Sequence, residues 1–294
     1  MIEVDKAKYE FVKGTFPLEI TKISIWIMKN LIKLAKKSLS EKTDLPFSIY
    51  SSSKEQRIAN VPIIKPLLIF ILGGSKKLGK DGDKCHSGSF VFLSNSPNID
   101  MRNIPDDEEY FAVLIEFEYS DFNQFKFKQK VKNKYFKGEI NSLLERALQQ
   151  FIELSMLVEA SALNFRKQEL LQLLYLSGYE EVSAIAEPPS ISQQIYDIIN
   201  EKVDDDWSVD RLASKLFMSD STLRRKLKSE GSSIKEIRTR TRLGYGLHLI
   251  QTTMEGIGRI SMRCGYQSQS RFTEQFKQLF GVTPTELRKT KLND

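Results

Sequence analysis

Cysteine is almost absent from these 294 residues: there are 2, Cys85 and Cys264, too few for a disulfide framework. Histidine is equally scarce, with 2 residues, His86 and His248. A metal-binding cupin barrel needs two or three histidines plus a carboxylate, and these two fall in different predicted domains. Cys85 and His86 are neighbours, so on a strand they point to opposite faces. Neither a Ser-His-Asp nor a Cys-His set assembles. The expectation is therefore no catalytic residue, no metal ligand and no cofactor. Long apolar runs are missing too. The longest, Pro66 to Leu72, fits a buried strand, and nothing approaches the roughly 18 residues of a membrane span. No secretory leader pattern opens the chain. These absences point to a cytoplasmic protein with no membrane partner.

What is present is ordinary in amount and unusual in arrangement. At 40% hydrophobic and 28% charged residues the chain can build real cores. Its length fits about two domains of roughly 100–200 residues each. The net charge of +6 is unevenly spread: Trp207 to the end holds 17 Lys+Arg against 8 Asp+Glu, leaving 27 against 30 in residues 1–206. A basic terminal domain attracts polyanions such as nucleic acid.

Helical spacing of Trp26, Ile27, Leu31, Leu34 and Ala35 predicts a helix over Thr21–Lys37, basic and packed on its own domain. From Pro46 to Tyr119 the texture is β. Phe47–Ser51, Lys65–Leu72, Ser89–Asn95 and Tyr110–Tyr119 are β-branched and aromatic, with turn clusters between them. This predicts a small barrel or sandwich. Lys76, Lys77 and Lys80 read as an exposed charged turn, although they would suit an anionic ligand. Gly138–Gly178 reads as two helices, with Leu143, Leu144, Leu148 and Phe151 on one stripe and Leu170, Leu171 and Leu174 on another. Those stripes serve either a dimer interface or the internal core. Pro188-Pro189 forbids helix and marks a linker at 184–190.

The last third carries one pattern twice. Val209, Leu212, Ala213 and Leu216 are followed by Ser219, then Leu223 and Leu227. Ile257, Ile260, Ser261 and Cys264 are followed by Ser268, then Phe272 and Phe276. Each copy reads as helix, tight turn, helix, with Ser208, Ser219 and Ser268 as N-caps. Cys264 is then a small core residue. A helix over Ile234–Thr252 joins the copies, opened by a Ser233/Glu236 capping-box pattern. Its 19 residues span about 28 Å, near the ~34 Å pitch of B-DNA. Gly244 and Gly246 within it mark close packing or flexing. Two second helices at that separation enter successive major grooves. With the leucines and phenylalanines inward, Ser221, Arg224, Arg225 and Lys228 face out from the first copy. Gln269, Ser270, Thr273, Glu274 and Lys277 face out from the second. Arginine suits phosphates and guanine edges, glutamine adenine, and glutamate cytosine. Lys235, Arg238 and Arg242, on one side of the joining helix, are expected at the DNA backbone. Thr283-Pro284-Thr285-Glu286 opens a closing helix.

From Trp207-Ser208-Val209 through Leu223-Arg224-Arg225-Lys226-Leu227-Lys228, the chain resembles the AraC/XylS family of bacterial transcription regulators. The likeness continues through Ile260, Cys264-Gly265-Tyr266-Gln267-Ser268-Gln269-Ser270-Arg271-Phe272, Phe276-Lys277 and Phe280-Gly281-Val282-Thr283-Pro284 to Leu287-Arg288. Ser261, Leu227 and Leu287 depart from the usual residue types at packing positions. Pro66–Lys76 with Gly82, Gly88, Pro97 and Tyr110-Phe111-Ala112 is more weakly similar to the regulatory domain of one branch.

The resemblance implies an α+β multidomain chain. A cupin-like β-barrel with flanking helices (1–183) senses an effector or supports homodimerisation. After the linker, an all-α domain (191–294) carries two helix-turn-helix motifs joined by a linker helix. The implied function is sequence-specific regulation of transcription, as an activator, on double-stranded promoter DNA with RNA polymerase as partner. Two alternatives compete with it. One is a cupin-type metalloenzyme fused to a DNA-binding domain; the other is a non-specific architectural DNA binder.

Overall fold

The computed structural model describes residues 16–79, 82, 84–95, 98–106, 108–125, 134–186 and 188–291. Helix α1 (Phe16–Glu41) leads into strands β1 (Ser48–Ser52), β2 (Gln56–Val61), β3 (Leu67–Gly73), β4 (Ser75–Leu78), β5 (Lys84–His86), β6 (Ser89–Leu93), β7 (Ile99–Ile104), β8 (Tyr110–Glu116) and β9 (Tyr135–Glu139). They form two antiparallel sheets, ordered β1-β8-β3-β6-β9 and β2-β7-β4-β5. Helices α2 (Ser142–Leu157) and α3 (Asn164–Leu176) follow.

Alternation along the strands builds two cores from one sheet. Leu68, Phe70, Leu72, Phe90, Phe92, Phe111, Val113 and Ile115 point to the helices. Leu67, Ile69, Ile71, Val91, Leu93, Tyr110, Ala112 and Leu114 point to the second sheet. A strand covered on both faces needs a continuous apolar run, which is why Pro66–Leu72 is readable as buried. β2, β4, β5 and β7 escape sequence reading because they are short and carry charges such as Arg57, Lys76, Lys77 and Arg102. The turn clusters around 80–83 and 94–98 lie partly outside the described residues.

The helical stripes belong to the core. Leu144, Leu148 and Phe151 of α2 and Leu170, Leu171 and Leu174 of α3 pack on the sheet, while Leu143 is exposed. Helix α1 buries Met28, Leu31 and Ala35 there and turns Trp26 outward, against expectation. Lys29–Glu108 (2.7 Å) and Lys36–Glu109 (2.8 Å) tie α1 to the approach to β8. No described helix is long and apolar enough to cross a membrane.

Past Pro188-Pro189, Ser190 caps α4 (Ile191–Glu201) by accepting from the Gln193 amide. Then come α5 (Val209–Lys215), α6 (Asp220–Ser229), α7 (Ile234–Thr252), α8 (Ile257–Arg263), α9 (Gln269–Phe280) and α10 (Pro284–Arg288). The two domains meet along β2. Ile58 is buried among Leu243, Leu247, Phe276 and Phe280 of the helical domain. The Ser53 amide donates to the Thr290 carbonyl (2.9 Å) and Asn60 Nδ2 to the Leu279 carbonyl (3.1 Å).

Candidate nucleic-acid interface

Each copy of the repeat folds around its own core. In the first, Leu212 and Ala213 of α5 meet Leu223 and Leu227 of α6, with Ile195 and Ile199 of α4, Trp207 and Ile237 of α7. In the second, Ile260 of α8, Cys264, and Phe272, Phe276 and Phe280 of α9 pack on Leu243, Leu247 and Ile250 of α7. Helix α7 thus runs through both cores. Gly246 allows the crossing: a Cβ there would stand 2.8 Å from the Phe272 ring. Burial pushes the Cys264 thiol up to about 12, so it stays protonated and acts as a small apolar filler.

The predicted caps set the helix starts. Ser208, Ser219 and Ser268 accept from the amides of Arg211, Thr222 and Arg271, each at 3.3 Å. Ser233 accepts from the Glu236 amide (3.2 Å), but the Glu236 carboxylate pairs with Arg240 (2.9 Å), so the box closes on one side only. Thr283 and Glu286 form a complete box. The two turns match bond for bond. Phe217 and Met218 donate to the Ser214 and Ala213 carbonyls (3.1 and 3.0 Å); Gly265 and Tyr266 donate to those of Met262 and Ser261 (2.8 and 3.0 Å).

These cores leave one face of α6 and one of α9 open. Ser221, Arg224, Arg225 and Lys228 are all exposed on α6, with Ser221 Oγ 3.1 Å from Ser219 Oγ. On α9, Gln269, Ser270, Glu274 and Lys277 are exposed and Thr273 is half-buried. Arg271, which sequence spacing leaves without a place, is also exposed there. On α7, Lys235 is exposed, while Arg238 is half-buried and 3.5 Å from Asp206. Arg242 departs from the expected backbone contact. Its guanidinium turns into the protein and donates to the carbonyls of Val203 (3.2 Å), Asp205 (3.0 Å) and Gly265 (3.2 Å). Three of the five N–H donors of this half-buried guanidinium are thus committed inside the protein.

A second site lies where the β domain meets α4 and α7. A cavity of about 320 Å³ is walled by Ile58, Val61, Ile63, Leu67, Met101 and Leu114 on one side and by Tyr196, Tyr245, Leu247 and His248 on the other. Ile63, Leu67, Met101 and Leu114 also belong to the core between the sheets, so the cavity borders that core. Lys76 lines it, and here the exposed-turn expectation fails. Lys76 is 2% exposed, on β4, with Nζ donating to Asn103 Oδ1 (2.6 Å) and the Tyr110 hydroxyl (3.4 Å). Burial pulls its ammonium down to about 7. Lys77 is half-buried on the same strand, and Lys80 lies outside the described residues. No hydropathy alternation signals this: Ser75–Leu78 reads polar, polar, polar, apolar, yet Ser75, Lys76 and Leu78 are all buried. Burial also lowers His248, whose Nδ1 is 3.5 Å from the Tyr50 hydroxyl. Among the described residues no group of three or more His, Cys, Asp or Glu side chains gathers at metal-binding spacing.

Known proteins share these features. The profile of a family described as "Helix-turn-helix domain" matches residues 212–290. The HTH-type transcriptional regulator GadX of Escherichia coli O6:H1 is 37% identical over 98 residues, 33% of this chain and 36% of its own. An Escherichia coli urease operon transcriptional activator is 33% identical over 97 residues, 33% of each chain. The chain thus spans about a third of the length of the curated relatives it matches. Across both domains it is similar in fold to unsaturated fatty acid bound wild-type ToxT from Vibrio cholerae, with a TM-score of 0.62, 17% identity, and coverage of 85% of this chain and 96% of that one. The paired turns and the matched residues agree: the C-terminal third of this chain is a two-unit helix-turn-helix domain, similar to the matching parts of those regulators.

Proposed function

We propose that the chain is a sequence-specific DNA-binding transcription regulator, acting in the cytoplasm as an activator with RNA polymerase as its partner. The observation that carries this is the pair of exposed faces on α6 and α9, joined by one continuous helix of 19 residues. Such a pair suits an asymmetric site across two successive major grooves. The α6 face is cationic (Arg224, Arg225, Lys228) and supplies affinity. The α9 face is mostly polar (Gln269, Ser270, Thr273, Glu274) and supplies discrimination. The activator named among its relatives supports the sign.

The β domain tunes this binding through a small effector in the cavity at the domain boundary. Its apolar stretches and the buried Lys76 ammonium suit an amphipathic carboxylate; Lys65 adds a second cation to the lining, and burial pushes the Glu116 carboxyl there up toward its neutral form. The neighbour described as fatty acid bound supports that class.

Binding-site selection from random duplexes, followed by footprinting at several salt concentrations, tests the DNA reading. A defined two-part protected site is expected. Protection of no defined site, with affinity set by ionic strength alone, makes the protein an architectural binder. Thermal stability with oleate and with oleyl alcohol tests the effector class: oleate alone is expected to stabilise. Stoichiometric zinc, iron or manganese in purified protein would instead point to a metalloenzyme.

A further inference from the structure

We propose that Arg242 is a positioning residue that fixes the two DNA-reading units at one separation and angle; this rests on reading the domain as a two-unit DNA binder. Arg242 stands on α7, between the units. Its Nε and Nη2 hold the carbonyls of Val203 and Asp205, in the loop between α4 and α5 of the first unit. Its Nη1 holds the carbonyl of Gly265, in the turn of the second. One planar fork therefore joins a loop of each unit to the helix they share. The Val203–Asp205 loop is stiffened from its other side. Arg211 grips the Asp205 carboxylate (3.1 Å), and Trp207 Nε1 donates to the Lys202 carbonyl (2.9 Å). The fork thus pulls on a braced loop.

The repeat supplies an internal control. Gly265 has φ +72°, and a Cβ there would stand 2.8 Å from the guanidinium carbon. Forty-eight residues earlier, at the same turn position of the first unit, stands Phe217, with φ +54° and 96% exposure. The same backbone conformation carries a large side chain where no guanidinium lies behind it. Glycine at 265 therefore serves the fork as well as the turn.

Each base pair inserted between two half-sites moves the second by about 3.4 Å and turns it by about 35°. A rigid pair of readers loses contacts under that change, and a loosened pair follows it. The experiment uses the full chain, the site it selects, and the same site with one base pair added or removed between its halves. Wild type is expected to lose roughly tenfold or more in affinity on the altered spacings. Arg242→Lys keeps the charge and loses the fork; Gly265→Ala keeps Arg242 and drives a Cβ into it. Both are expected to weaken binding to the native spacing and to shrink the spacing penalty to about twofold or less.

Either folded variant keeping the wild-type penalty overturns the proposal. So does the signature of a phosphate contact in Arg242→Ala: equal weakening on every spacing, with the log–log salt slope reduced by about 0.9. Wild type selecting no two-part site overturns the DNA reading and this proposal together. Should neither Arg242→Lys nor Gly265→Ala fold, Arg242 is a general stabiliser and the proposal is likewise overturned.

Discussion

Gln56 and Gln251 hydrogen-bond to each other across the domain boundary, both 2% exposed. Gln251 Nε2 donates to Gln56 Oε1 (3.2 Å), and Gln56 Nε2 reaches Gln251 Oε1 (3.4 Å) and Thr290 Oγ1 (2.8 Å). Asn103 Nδ2 donates to the same Gln56 oxygen (2.9 Å), and Lys76 donates to Asn103 (2.6 Å). The cavity ammonium is thereby linked to α7 through two buried amides. Gln251→Leu strips partners from Gln56 and is expected to cost about 1–3 kcal/mol. The Gln56→Leu, Gln251→Leu double variant is expected to cost less than the two single variants combined. A double-mutant cycle by urea denaturation checks this, and strict additivity would deny the coupling.

Lys76 gives stability a pH dependence of known sign. Its folded value of about 7 lies below the ordinary 10.5. Between those limits the unfolded chain holds a proton that the folded chain has released. Stability therefore rises with pH through that window, by up to about 1.4 kcal/mol per unit, and is lowest below it. Lys76→Met is expected to remove this slope, so its advantage over the parent is largest at and below pH 7 and shrinks above. Denaturation of both proteins from pH 6 to pH 10 measures it. A parallel pair of curves would refute the buried ammonium. Proton uptake on binding a carboxylate at pH 8 follows from the same shift.

The exposed faces make separable predictions. Arg225→Ala and Gln269→Ala are each expected to lose about 1–3 kcal/mol at one half of the site and to relax base preference there. Lys228→Ala is expected to weaken all sequences alike and to lower the salt slope by about 0.9. Sequencing the selected sites of each variant reads out the difference; unchanged base preference in the first two would remove them from the base edges.

Phe217→Gly is expected to stabilise the protein. A left-handed non-glycine residue costs roughly 1–2 kcal/mol, and Phe217 is 96% exposed with φ +54°. Allowing for glycine's greater unfolded-state freedom, a net gain of about 0.5–1 kcal/mol remains. A midpoint shift in denaturant measures it, and a lower midpoint would mean that the ring makes stabilising contacts.

The helical domain is legible in the sequence because its information is local. The Ser219 cap, the i,i+4 apolar pair of α6 and the turn at 217–218 recur 48 or 49 residues later, and α7 runs from Ile234 to Thr252 as its spacing predicts. The β domain is legible only where apolar runs are long. Its polar strands draw their stability from pairing with partners far away in sequence, such as Gln56 opposite Asn103 and Lys76 opposite Asn103. The inward turn of Arg242 is not legible because helical periodicity gives a direction on the helix and says nothing of a carbonyl 37 residues away. The cavity is not legible for the same reason: its walls come from stretches of chain as far apart as Ser48 and Gln251.

Ile58 carries a last consequence. A side chain from a strand of the β domain completes the core around Leu247, Phe276 and Phe280. The core of the second unit is therefore completed from the β domain, whereas the buried residues of the first, around Ile195, Trp207 and Ile237, all come from the helical domain. Grafting the helical domain onto a different sensor would leave an open seam unless β2 travelled with it. Inheritance by domain shuffling would have to move that strand as part of the reader.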